Sequence, residues 1–332
     1  MDFGVYQTPT YVYIKEKILN SIDVIEQHIA DRNMELLKIL LKDKTTGNYI
    51  KWATDNYISI GGLYKPESEM EPSQIIENFT NVIQPRVSKS AKEQMQRTRD
   101  KAEVFTPMWI VNQQNNLVDE AWFGRKNIFN IEDGTTWKTI EDKVKFPDGK
   151  TWKQYVDLKR LEISCGEAPY LVNRYDAVSG NSRPVMNRVG LLDRKLRIIN
   201  ENIDNETEWT IWVIRAYQSI YGYEFQGDSL LIARENLLYT YTDNLLYKFG
   251  RTPTIIEQKK IANIIAWNIW QMDGVTMTVP YSIQKSEYEQ ISLFNVFGWG
   301  NDEPEEETIE AIPCKIYDWR SNTSIEFKSK SN

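Results

Sequence analysis

The chain has 332 residues, 41% hydrophobic and 26% charged, with a formal net charge of −7. That length and balance fit one sizeable core plus a smaller module and exclude a disordered chain. The negative balance argues against an autonomous tight DNA binder, which needs clustered Lys and Arg to release counterions. Two cysteines, Cys165 and Cys314, are too few for a disulfide framework, and no apolar run approaches ~18 residues, so no membrane span is expected. Met-Asp-Phe-Gly at the N-terminus lacks the basic start and apolar stretch of a secretory signal, so the expected compartment is the cytoplasm.

Residues 11–43 carry Ile14, Ile18, Ile22, Ile25, Ile29, Leu36, Leu37, Leu40 and Leu41 at helical spacing. Gly47-Asn48 and Gly61-Gly62 break the pattern, and 71–100 turns helical toward its end. The prediction is a mostly helical N-terminal module over 1–100, followed by a second domain over 101–332. Residues 86–101 are basic (Arg86, Lys89, Lys92, Arg97, Arg99, Lys101) and 302–310 are acidic; both runs usually mean solvated surface. Pro107 opens a helix over 108–117. Asp133-Gly134 and Pro147-Asp148-Gly149 predict a hairpin excursion flanked by Trp137 and Trp152. Leu161 and Ile163 read as a short buried strand, 183–220 as a helical insertion, and 221–238 as strand, turn and amphipathic helix. Strand-like segments follow at 312–317 and 323–327. There is no internal repeat.

Four segments carry candidate chemistry. In Glu103-Val104-Phe105-Thr106-Pro107, a Thr hydroxyl and adjacent N–H groups suit a carboxylate. The run from Leu161 to Leu171 ends a strand in the small-residue turn Cys165-Gly166-Glu167-Ala168. In a doubly wound α/β sheet, cofactors bind at such carboxyl ends, where small residues let the backbone approach a ligand. From the residues alone, an ordinary strand–turn–helix stands level with a ligand turn. Glu224 ends the next strand, where an acid accepts from ribose hydroxyls; the alternative is an exposed loop carboxylate. Asp273, after Trp267 and Trp270, is placed to accept from an exocyclic amine; the two tryptophans also fit a plain core.

In that order the segments resemble the cofactor-binding motifs of the DNA adenine-N6 methyltransferases, the family of restriction–modification methylase subunits. The resemblance covers roughly 86–332. It implies a SAM-dependent methyltransferase fold, a Rossmann-like doubly wound α/β sheet, with S-adenosyl-L-methionine (SAM) as cofactor. Phe105, Thr106 and Pro107 then stand at the methionine end. Glu162 falls on the family's acidic position, with Cys165, Gly166, Glu167 and Ala168 as the turn; Ala168 replaces the second glycine. Glu224 and Phe225 stand at the ribose, Asp273 at the adenine, and Ala233-Arg234-Glu235-Asn236 matches the helix that follows Glu224. The implied activity is methyl transfer to adenine in DNA, in a restriction–modification or phage setting, with any DNA met through 86–101.

The family's catalytic Asn/Asp/Ser-Pro-Pro-Tyr/Phe is absent, for the chain contains no Pro-Pro dipeptide. Thr278-Val279-Pro280-Tyr281 is no substitute, since valine cannot hold the target amine. Residues 324–332 resemble the strand that leads into the missing loop. A second class therefore stands beside the first: a non-catalytic SAM-fold protein, either a split or degenerate subunit or a regulatory or anti-restriction factor. Such a chain acts through a protein partner that supplies target recognition. His28 is the single histidine, so a zinc site of the usual kind is excluded, and no phosphate-binding Gly-x-x-x-x-Gly-Lys motif supports an ATPase.

Overall fold

The computed structural model describes residues 26–76, 82–90, 94–95, 97–99, 106–176, 179–282 and 311–327. Phe105, Lys92, Lys101, the acidic run 302–310 and the isoleucines before residue 26 lie outside the described residues.

Three parallel strands organise the fold: β3 (Arg160–Glu162), β4 (Ile220–Glu224) and β5 (Ile269–Gln271), in that spatial order. Arg160 pairs with Ile220, and Gly222 with Ile269. Parallel neighbours need long crossovers. The first is α5 (Leu191–Asn202) with α6 (Glu206–Gln218); the second is α7 (Gly227–Phe249) with α8 (Ile255–Asn268). The segment 183–220, expected as a helical insertion, is instead part of the β3–β4 crossover itself, because parallel neighbours require one.

β4 and β5 are buried almost throughout, as parallel strands covered on both faces are. β3 differs from the expectation of a buried strand: Leu161 is 47% and Ile163 67% exposed. β3 pairs on one side only and forms one edge of the sheet, as β5 forms the other.

The first predicted turn gives a hairpin, β1 (Asn130–Asp133) and β2 (Thr136–Thr139), with Trp137 inside β2. The second does not. Pro147-Asp148-Gly149 leads into α4 (Trp152–Val156), where Thr151 and Gln154 cap each other reciprocally. At the C-terminal end, β6 (Lys315–Asp318) and β7 (Thr323–Glu326) pair antiparallel as a separate hairpin. Residues 324–326 therefore pair with β6 and add no strand to β3. The Tyr317 ring packs on Trp267 of α8 and on Trp319, which docks the hairpin against the end of α8.

On the N-terminal side, α1 (Glu26–Arg32) and α2 (Met34–Leu41) are followed by short 3-10 turns, and the described residues 94–95 and 97–99 are helical, as expected toward the end of the 71–100 stretch. Leu36, Leu37, Leu40 and Leu41 are buried as the periodicity predicts, and α2 packs on α8 and α7. α3 (Met108–Phe123) begins after Pro107 and ends at Gly124, whose φ of 72° is the left-handed cap. One hydrophobic cluster runs from Ile29 through Leu37, Trp52, Tyr155, Leu196, Trp209 and Leu237 to Ile269. Among the described residues no helix is long and apolar enough to cross a membrane.

Candidate functional site

The carboxyl ends of the three strands bring several of the sequence-selected residues together. After β3 the chain turns sharply: Ser164, Gly166 and Ala168 have φ of 47°, 53° and 63°. Two of these are not glycine, so the turn stores backbone strain of ~1–2 kcal/mol per residue. Cys165 N–H donates to the Tyr223 carbonyl at 2.8 Å, which extends the pairing beyond β3. The Cys165 side chain is buried beside Gly222, where an added Cβ would sit 3.4 Å from Sγ. Burial pushes the Cys165 thiol well above its ordinary range, so it stays protonated and unreactive.

Glu224 ends β4 and fastens this turn. One carboxylate oxygen accepts the Gly166 N–H at 2.8 Å; the other accepts Phe225 N–H at 2.9 Å and Gln226 N–H at 3.1 Å. Burial raises its pKa, against the pull of these three donors. Glu224 thus already behaves as an acceptor at a strand end, and a sugar hydroxyl reaching it would share or displace the Gly166 bond.

Glu162 does something different. It accepts from the N–H groups of Tyr170 and Leu171, both at 3.2 Å, so it closes the far side of its own turn. Burial pushes its pKa up to about 8. Glu167 is 4% exposed and equally committed, accepting Arg86 N–H at 2.7 Å and the Tyr175 hydroxyl at 2.9 Å. Asp273 is half-buried after β5, and one of its oxygens accepts Val275 and Thr276 N–H at 2.8 and 3.1 Å, closing the turn that follows. Thr106 and Pro107 sit half-buried at the start of α3. That helix is tied to the same neighbourhood through Asn115, which donates to the carbonyls of Tyr170 and Val189 at 3.0 Å.

The structure therefore brings the 165–168 turn, Glu224 and Phe225 into direct contact, with Asp273 one strand further. Met272 N–H links the last two, donating to the Glu224 carbonyl at 3.0 Å.

Two residues of this region were missed in the sequence. Asp228, at the first turn of α7, is fully buried; it accepts the Tyr57 hydroxyl at 2.7 Å and Arg97 at 2.9 Å, with Lys89 at 3.7 Å. Burial works to raise its pKa, but the two cations override it and hold the carboxyl down at about 2. Its signal was an acid in a helix's first turn. Gln271 joins three segments: its amide donates to the carbonyls of Lys51 and Phe225, both at 2.8 Å, and its oxygen accepts Lys51 N–H at 2.7 Å. Nothing local in Trp-Gln-Met marks it.

The basic run is also corrected in part. Arg97 is 5% exposed and engaged by Asp228, so it is turned inward and not offered to a phosphate backbone. The physical reason is the buried Asp228 carboxylate, which needs a cation.

Among the described residues, no group of His, Cys, Asp and Glu is placed to hold a metal ion. No protein-family model, curated protein or solved structure matches this chain.

Proposed function

We propose that this chain binds SAM across the carboxyl ends of β3, β4 and β5, as the cofactor-binding part of a DNA adenine-N6 methyltransferase. The fold reading that goes with it is the doubly wound methyltransferase sheet, of which these three strands would be one half. One observation carries the proposal: Glu224 at the end of β4 is hydrogen-bonded to the left-handed turn after β3. An acceptor and a main-chain turn side by side at a parallel strand end fit a nucleoside.

When bound, SAM would supply an electrophilic methyl group. Glu224 would orient the ribose, the 165–168 turn would let the backbone approach, and Thr106 would offer its hydroxyl to the amino-acid end. What the chain would contribute is positioning, which requires reacting atoms within ~3–3.5 Å and in line.

The non-catalytic reading is favoured for the chain acting alone. Val279 of Thr278–Tyr281 is buried at 5% exposure, and residues 323–326 pair with β6. Neither segment supports a clamp for the target amine, so we infer that a protein partner supplies the clamp and the DNA recognition.

Calorimetric titration with S-adenosylhomocysteine tests the cofactor. Binding is expected, and Glu224→Ala should weaken it by about tenfold, matching the ~1–3 kcal/mol of a lost buried polar partner. An unchanged Kd in that variant overturns the site. A radiolabelled-SAM assay on mixed plasmid DNA should give no adenine label with the chain alone; clear incorporation would reject the partner-dependent reading.

A further inference from the structure

A cavity of about 290 Å³ opens beside the end of β4, walled by Phe225-Gln226, the 53–55 loop, Pro66 and Tyr281. Its size lies just below the ~300–1,000 Å³ range of small-molecule sites. Two independent features set it apart from an ordinary surface dent.

The first is backbone strain. Ala53 and Tyr281, from segments far apart in sequence, both line it and both adopt left-handed φ, 49° and 54°. Non-glycine residues keep such angles only where their surroundings over-determine them, and such sites gather at ligand clamps. Here the surroundings do so. Ala53 N–H donates to the Pro66 carbonyl at 2.8 Å, its neighbour Trp52 accepts Gly227 N–H at 2.9 Å, and Lys51 is held by Gln271. Lys51 Nζ in turn donates to the Tyr281 carbonyl at 3.1 Å, so one short segment positions both strained residues.

The second is the chemistry of the walls. The Phe225 and Tyr281 rings lie 6.0 Å apart and tilted by 51°, and Tyr281 is 45% exposed. Thr54, Asp55 and Gln226 supply polar groups around them. Aromatic faces beside hydrogen-bonding side chains suit a flat ring with polar edges; a hydrocarbon would leave the polar wall desolvated. A carboxylate on that wall favours an exocyclic amine.

We propose that this cavity takes an adenine ring, its face on Tyr281 and Phe225 and its amine edge toward Asp55. The choice of adenine rests on the nucleoside reading above. The cavity itself draws four of its seven lining residues from 53–66, outside the stretch 86–332 that carries the resemblance. The ring has two sources, a free nucleoside such as the cofactor or an unstacked adenine in a DNA strand.

The full chain would be titrated with adenosine, inosine, S-adenosylhomocysteine and a short single-stranded deoxyadenylate. Adenosine is expected to bind, Tyr281→Ala and Phe225→Ala to weaken it at least about tenfold, and Tyr281→Phe to retain it. Asp55→Asn should narrow the preference for adenosine over inosine. Competition by S-adenosylhomocysteine assigns the cavity to the cofactor, and competition by deoxyadenylate alone assigns it to a strand; both support it. If S-adenosylhomocysteine binds with a Kd indifferent to both ring deletions, the cavity assignment fails while the cofactor reading stands. If adenosine binds through Tyr281 and S-adenosylhomocysteine does not bind, the cofactor reading fails and the cavity stands. Absence of all purine binding overturns both.

Discussion

Glu162 and Glu224 end neighbouring strands, yet their carboxylates are used in opposite ways. Glu224 reaches across to Gly166, whereas Glu162 folds back on Tyr170 and Leu171. Burial lifts the Glu162 pKa to about 8, above the ordinary ~4.3 of an unfolded glutamate. Between those values the folded chain binds more protons than the unfolded one, so this group's contribution to stability falls as pH rises. It is fully present below ~4.3 and lost as pH passes through about 8. Thermal midpoints taken from pH 5 to 8 are expected to decline more steeply in the wild type than in Glu162→Gln, which cannot ionise. Parallel curves would show that Glu162 does not titrate in this window. The sequence made Glu224 legible, because Tyr-Gly-Tyr-Glu leads into an apolar-periodic helix and so places an acid at a strand end. It gave no means of separating Glu162, Glu167 and Asp273 from ligand-facing groups. What binds each of those carboxylates is a backbone N–H or hydroxyl, chosen by the path of the chain and not by residue type.

Arg234, in the middle of α7, shows the same limit for an element. The sequence placed it on a helix matching a cofactor motif, but its guanidinium is fully buried against main-chain carbonyls. It donates to Ile269 at 2.8 Å, Leu40 at 2.5 Å, Lys42 at 3.0 Å and Ala266 at 3.4 Å. Those carbonyls end α2 and α8, where a cation satisfies orphan acceptors and opposes the helix dipole. Burial, partly offset by the Asp43 carboxylate, pulls the pKa of Arg234 down to about 10, still high enough to keep the charge. Arg234→Leu strands these acceptors, at ~1–3 kcal/mol for each one left unpaired. A loss of at least ~3 kcal/mol in a urea titration is expected; a change under ~1 kcal/mol would mean water replaces the guanidinium. The helix start is equally tight, since a Cβ on Gly227 would meet the Lys51 carbonyl at 2.0 Å. Gly227→Ala should therefore destabilise through forced separation of α7 from the 51–53 segment. The start of α7 was legible because its apolar residues, Leu230 to Leu238, repeat after a strand and a turn; α8 was not read, although Thr254 and Glu257 cap its start reciprocally. The edge position of β3 was not legible, because which strand lies outermost is decided by pairing.

For the whole molecule, the hydrophobic core crosses residue 100 without a break. Leu36, Leu37 and Trp52 belong to the same buried cluster as Leu230 and Leu237 of α7 and Ile261 and Ile265 of α8. A chain beginning at residue 101 would bare that face, and it is expected to be insoluble or to lack a cooperative thermal transition. A soluble product with one sharp transition would mean that the second part folds by itself. Behind this stands a single feature, a helix whose residues from Gly227 to Leu246 are all buried. Backbone amides there can trade protons with solvent deuterium only when everything around them has come apart. In a mass-spectrometric exchange experiment, peptides from this stretch should be the last to gain mass. The outer strand at 160–162 and the hairpin at 315–326 should gain it early. The central helix is in effect the molecule's slowest clock, reporting each rare excursion to the fully open chain.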